Sequence, residues 1–260
     1  MRYLKILYRF FLLKNSLVRA QRKKPLSIPI IIINFNQVFY LKKQIDFYLE
    51  RGFENIVIID NNSSFPPLME YYKEIRDLVK IEYMGKNFGH LVFFKNKILQ
   101  KKYGEGYFVI TDADIVPNKN LPTNFMNILI QKLHQYFDTV NKVGFALEIS
   151  NIPNYFPYKK EVLTWENKHW ENEIEKECYL TKIDTTFALY KPNYPRRFSG
   201  INFYSGLRIA GNFTAFHGGW YKNPNQLTEE EKFYEEQASS SASWTKIKSD
   251  EQISDRYSLL

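Results

Sequence analysis

At 260 residues, with 44% hydrophobic and 25% charged positions, the chain can hold one large folded domain with a substantial core. Its net charge of +8 favours anionic partners. Arg2, Lys5, Arg9, Lys14, Arg19, Arg22, Lys23 and Lys24, with no acid among residues 1–24, match that whole excess, so the rest is close to neutral and argues against a general nucleic-acid-binding surface. The single Cys178 excludes an internal disulfide, and nothing has the spacing of a zinc site.

Residues 1–24 read as a basic amphipathic helix. At about 100° per residue Tyr3, Ile6, Leu7, Phe10, Leu13, Leu17 and Val18 share one side, with Arg2, Lys5, Arg9, Arg19 and Lys23 opposite. Charges interrupt it too often for a membrane span, and no signal-peptide cleavage pattern follows. Two roles stay open: a helix packed on the body of the protein, or an interfacial helix on anionic lipid.

The aliphatic run 28–33 predicts a strand ending at Asn34, Phe35 and Asn36. A helix over 38–51, apolar at Val38, Leu41, Ile45 and Leu49, is stopped by Gly52. Strand 55–59 ends at Asp60, Asn61 and Asn62. Helix 67–78, a strand near 79–83, helix 89–102 and strand 107–111 follow, the last ending at Asp112-Ala113-Asp114. Strands alternating with helices predict an α/β fold with a right-handed, mostly parallel sheet flanked by helices. Each strand ends in a polar loop, which gathers ligand groups along one edge of that sheet. Beyond residue 118 the alternation weakens: helix 123–138, strand 143–149, a Tyr-, Trp- and Glu-rich segment 155–180, a strand-like run 185–190, the Pro- and Arg-containing loop 192–200, and a Ser-rich tail 238–260.

Asp112 and Asp114, one residue apart at a strand end, are hard oxygen ligands that suit Mg²⁺ or Mn²⁺ carrying substrate phosphates better than zinc. Four segments in order carry a likeness: Ile30–Asn36, Val57–Ser63, Lys86-Asn87-Phe88-Gly89 followed by Lys95-Asn96, and Thr111–Asp114. Together they resemble the GT-A fold of nucleotide-sugar-dependent glycosyltransferases, similar to family 2 and its bacterial surface-glycan members. The segments 145–153, 183–190 and 216–221 look like parts of the same branch.

The resemblance implies a nucleotide-binding half over 25–117 and a mixed acceptor-binding half over 118–237. It implies nucleotide-sugar contacts at Asn34, Asn36, Asp60, Asn87, Gly89, Lys95, Asn96, Asp112 and Ala113, with Asp60 reading the base. It implies Mn²⁺ or Mg²⁺ on Asp112, Asp114 and His217. Lys95 stands where such enzymes often carry Arg, which keeps a charge without the planar fork. The general base for the acceptor hydroxyl is expected at Asp184, with Glu148 competing. An ionised Asp60 accepts from the imide N–H of uracil, which favours a UDP-sugar. The resemblance implies transfer of a sugar to a glycan or lipid-linked acceptor, with inversion expected and retention left open; the N-terminal segment, where it is interfacial, sets this at the cytoplasmic face of a membrane.

Plainer readings stand beside these. Asp60 can close an Asx-turn, Asn87 can cap a helix, and Lys95 and Asn96 can lie on a solvated helix face. Asp184 can cap with Thr185 and Thr186, and a lone His is more often structural. Glu171, Glu173, Glu175 and Glu177 read as a solvated run, and Trp165, Trp170 and Trp220 as core or as sugar-stacking rings. A nucleotidyltransferase could use a related sheet, but the loop Asn34–Gln37 lacks its glycine- and basic-rich phosphate cradle. A non-catalytic carbohydrate-binding or scaffold protein is the remaining alternative.

Overall fold

The computed structural model describes residues 9–194 and 201–237. The predicted positions Arg2 to Leu7, much of loop 192–200 and the Ser-rich tail lie outside them. Helix α1, of which residues 9–14 are described, ends at Asn15, whose side chain accepts from Leu17 and Val18 N–H and caps α2 (Ser16–Lys23). The single N-terminal helix expected from sequence is thus two. Its packed face also differs: Leu12, Val18 and Gln21 are buried, whereas Phe10 and Leu17 are exposed.

Three βα steps and a fourth strand then build one half of the sheet: β1 (Ile30–Asn34), α3 (Phe39–Glu50), β2 (Ile56–Asp60), α4 (Pro66–Ile75), β3 (Lys80–Tyr83), α5 (Val92–Lys95), α6 (Lys97–Tyr103) and β4 (Phe108–Asp112). All five residues of β1 and of β2 are buried. A parallel strand covered on both faces must be apolar throughout, and that is why these runs are continuous rather than alternating. Alternate residues feed two cores. Ile30, Ile32, Ile56 and Ile58 join the larger, and Ile31, Ile33, Val57 and Ile59 the smaller.

The rest comprises β5 (Ile115–Pro117), α7 (Phe125–Gln135), β6 (Lys142–Phe145), α8 (Lys159–Asn167), β7 (Glu173–Glu175), β8 (Cys178–Lys182), β9 (Ala188–Tyr190), β10 (Ser205–Ile209), β11 (Ala215–His217) and α9 (Glu229–Gln237). The main sheet runs β3-β2-β1-β4-β9-β6-β10-β8-β7, and β5 pairs with β11 in a separate ribbon. β3, β2, β1 and β4 are parallel, as are β6 and β10; β9 lies antiparallel between the two groups. The chain is therefore α/β, with a large, mostly parallel mixed sheet flanked by helices.

Three sequence expectations are corrected. The helix 89–102 is broken at Asn96, which is extended and caps α6 through Ile98 and Leu99 N–H. The strand 143–149 stops at Phe145, leaving only a bridge from Leu147 to Ala215. The Glu run is not simply solvated: Glu175 accepts from Lys132, Gln135 and Tyr136 and ties β7 to α7.

Candidate active site

Asn34, Asp60 and Asp112 end β1, β2 and β4 side by side: Asn34 is in register with Asp60, and Ile33 with Asp112. The carboxyl edge of the parallel half is thus polar. Asp112 is pinned on its main chain, its N–H donating to Thr185 O at 3.0 Å and its carbonyl accepting from Gln44 Nε2 at 2.9 Å. Ala113 is buried, and its N–H donates to Ile33 O at 3.1 Å. The Thr185 hydroxyl donates to Asp112 Oδ2. Burial holds the Asp112 carboxyl well above the usual carboxylate range; the Asp114 and Asp184 carboxylates add to this, and the Thr185 bond opposes it.

β5 turns Asp114 toward a distant segment. Ile115 is in register with His217, and Gly218 N–H donates to Asp114 O at 2.8 Å. This brings His217 Nδ1 to 3.4 Å from Asp114 Oδ2. The imidazole stacks on Trp220, centroids 4.5 Å apart and planes within 4°, which fixes the ring. His217 Nδ1 is buried without a hydrogen-bond partner. The two glycines clear this space: a Cβ on Gly219 would lie 3.0 Å from His217 Cε1 and 3.1 Å from Asp114 Oδ2, and one on Gly218 would meet the Tyr40 ring at 2.2 Å.

Among the described residues no three His, Cys, Asp or Glu side chains enclose a metal position. Of the three expected ligands, Asp114 and His217 are paired, while Asp112 is held by Thr185. One carboxylate and one imidazole nitrogen still fit a hard divalent ion of the Mg²⁺ or Mn²⁺ kind. Such ions commonly keep water and take substrate phosphate oxygens for the rest of their shell. The orphaned His217 nitrogen and the space kept by Gly219 are the observations that fit.

Beside Asp114 lies a cavity of about 30 Å³ bordered by Tyr40, Lys222, Glu230, Glu231 and Tyr234. It has room for about one water, not a nucleotide. α9 borders it. The Glu230 carboxylate accepts from Phe39 N–H at 3.0 Å, at the start of α3, and Tyr234 and Phe233 pack on Phe35 and Phe65.

The remaining nucleotide candidates, except Lys95 and Asn96, fall into a connected hydrogen-bond system. Asn34 Nδ2 donates to Tyr72 Oη at 2.9 Å, and Tyr72 donates to Asp60 Oδ2 at 2.8 Å. Asp60 Oδ1 accepts from Ser63 N–H at 2.8 Å, a local bond three residues on rather than the two of an Asx-turn, and Asp60 is only 1% exposed. Asn36, in the left-handed region at φ 52°, accepts from Ser64 and Phe65 N–H and thereby joins the loops after β1 and β2. Asn87 closes a turn onto Gly89 N–H instead of capping a helix, since α5 starts only at Val92. Lys95 is exposed and Asn96 caps α6. Sequence reasoning did not single out Asn61, whose side chain donates to Gly89 O at 3.2 Å and accepts from Phe88 N–H, tying that turn to the edge.

Asp184 is partly buried, and its Oδ1 has no hydrogen-bond partner. The Thr185–Asp112 bond draws its segment to the edge. Glu148 N–H donates to Ala215 O beside β11, but its carboxylate is tied to Ser150 N–H and Oγ at 2.8 and 2.6 Å. Tyr40, Lys222 and Glu230 carried no expected role, and Thr185 only that of a local capping partner. Only Thr185, adjacent to Asp184, carried any local signal; the others enter through long-range packing.

No protein-family model matches the chain, and no curated protein does. Among solved structures, the mannosyltransferase PcManGT from Pyrobaculum calidifontis, in complex with GDP-Man and Mn²⁺, is similar over 80% of this chain and 59% of its own, at 14% identity and a TM-score of 0.47. S. aureus TarS 1-349 is similar over 80% and 62%, at 13% identity and a TM-score of 0.43. A UDP-glucose pyrophosphorylase complexed with UDP-glucose is similar over 71% and 74%, at 12% identity and a TM-score of 0.35. The chain thus spans less than two thirds of the first two of these structures, and likeness at this level does not bear on substrate.

Proposed function

We propose that this protein is a GT-A-type glycosyltransferase that takes a nucleotide-sugar, with UDP favoured, and transfers the sugar to a glycan or lipid-linked acceptor. The observation that carries the reading is the β5–β11 pairing, which sets His217 Nδ1 against Asp114 Oδ2 at the edge where β1, β2 and β4 end. Asp114 and His217 would hold Mn²⁺ or Mg²⁺, which when bound neutralises the negative charge that develops on a leaving diphosphate. Asp112 anchors Thr185, and with it the segment carrying Asp184. Asp184 Oδ1, buried without a hydrogen-bond partner, makes Asp184 the better base for an acceptor hydroxyl than Glu148, whose Oε1 is taken by Ser150 N–H and Oγ. Tyr83, in register with Asp60 and 62% exposed, offers a ring face to the base that Asp60 and Tyr72 border.

Thermal unfolding with UDP, UDP-glucose, GDP-mannose and CDP, each with MnCl₂ or EDTA, tests the reading. A ligand at a hundred times its Kd stabilises by about 2.7 kcal/mol, roughly 5–10 °C for a chain of this size. The rise is expected for a uridine or guanosine nucleotide with Mn²⁺, and is expected to vanish in Asp114→Asn and in His217→Ala. Equal stabilisation in EDTA, or in Asp114→Asn, removes the metal from the proposal.

A further inference from the structure

Lys142 opens β6 and is fully buried, a costly place for an ammonium that only packs. It is in register with Tyr190 of β9 and Gly206 of β10. Gly206 leaves its position bare for Ile183, whose side chain a Cβ there would meet at 2.7 Å, so the segment carrying Asp184 runs close over these strands. Lys142 Nζ donates to Tyr190 Oη at 3.0 Å, and Tyr190 Oη donates to the Asp184 main-chain carbonyl at 3.5 Å. The rings of Tyr190, Phe203 and Tyr204 surround the ammonium with centroids 4.8, 4.9 and 5.6 Å away.

We infer that Lys142 is a positioning residue for Asp184, orienting its segment through Tyr190 and giving its carboxylate a facing positive charge. The inference rests on Asp184 serving as the base. Supporting it, burial brings Lys142 down to about 7, while the Asp184 carboxylate pushes it up and Arg208 pushes it down. Tyr190 Oη is the group that stands between Lys142 Nζ and the Asp184 main chain. The charged and titratable groups facing Lys142 are Asp184, Tyr190, Tyr204 and Arg208. A side chain required only to fill this space would be better served by Met or Leu.

Protein labelled with ¹³Cε-lysine reports the pair without any sugar substrate. The Lys142 resonance, assigned from Lys142→Arg, should titrate lower by about one pH unit or more in Asp184→Asn, because an attractive charge is removed. Tyr190→Phe, which keeps the ring stacked on Phe108, should lower kcat for transfer about tenfold with the donor KM unchanged. If Lys142 titrates identically in Asp184→Asn, the inference is overturned, even if Asp184→Ala is inactive and the base assignment stands. If Lys142 shifts but Asp184→Ala turns over normally, the pairing holds and the base assignment fails.

Discussion

Asp60 already carries two hydrogen bonds that a nucleobase, bound as proposed, would have to share. With Ser63 N–H on one oxygen and Tyr72 on the other, it can still accept from an imide N–H, but only within a frame that Tyr72 sets. Tyr72→Phe leaves Asp60 Oδ2 and Asn34 Nδ2 short of a partner in a dry place. A loss of about 1–3 kcal/mol in urea unfolding is expected, together with a weaker preference for UDP over CDP in competition binding. Asp60→Ala should abolish that preference, and equal binding of both nucleotides by the unmodified protein would falsify the base-reading role. Asp184→Ala should leave nucleotide binding intact and lower transfer about 10²–10⁴-fold, the usual scale for general acid–base catalysis. If Glu148→Ala shows that loss and Asp184→Ala does not, the base is Glu148.

Legibility differed from element to element for a physical reason. β1, β2 and β4 were visible because a strand buried on both faces is apolar at every position, and their polar ends marked the edge. The break at Asn96 escaped because flanking helical residues outweigh one capping side chain in any periodic pattern. β9 runs antiparallel between parallel neighbours, a choice made by its partners rather than by its three residues. The candidate site was half legible in the same way: Asp112 and Asp114 declare themselves as a local motif, whereas the meeting of Asp114 with His217 depends on the β5–β11 pairing. α9 was missed altogether, and it borders the cavity next to Asp114. Release of α9 would widen the space on that side. Burial raises the Glu230 carboxyl above its ordinary value and Glu231 adds to this; bonds from Phe39 and Val38 N–H and the charge of Lys222 oppose the rise. The docked state thus binds the proton more tightly than the released one. Docking gains as pH falls into the window just above the ordinary carboxylate value, and weakens as pH rises through the raised one. Hydrogen exchange, corrected for intrinsic rate, should show residues 229–237 better protected at pH 5 than at pH 8, and Glu230→Gln should flatten the difference. Protection that rises with pH in the unmodified protein would rule this out.

At the scale of the molecule the N-terminal segment is both structural and exposed. Val18 is fully buried, and Gln21 donates to Tyr107 O and accepts from Tyr107 N–H at 2.9 and 2.7 Å, fastening α2 to the start of β4. Gly106 makes that possible, since a Cβ there would lie 2.3 Å from Gln21 Oε1. Removing residues 1–24 should therefore uncover Val18's site, remove both Gln21 bonds to the Tyr107 main chain and destabilise the fold, so a truncation cannot isolate membrane binding. Phe10, Phe11 and Leu17 are the better probe: they are 50%, 67% and 43% exposed, among Lys14, Arg19 and other basic residues. No helix among the described residues is long and apolar enough to cross a membrane, but this face suits shallow insertion beside anionic headgroups. Each basic residue near such a surface contributes up to about 1 kcal/mol, an attraction that salt screens. The protein should float with phosphatidylserine-containing liposomes at low salt and release at high salt. The triple substitution Phe10→Ser, Phe11→Ser, Leu17→Ser should weaken flotation without lowering the unfolding temperature, because none of the three side chains is buried. If the intact protein ignores anionic liposomes at low salt, the segment serves only to fasten β4, and the acceptor must be sought away from a membrane surface.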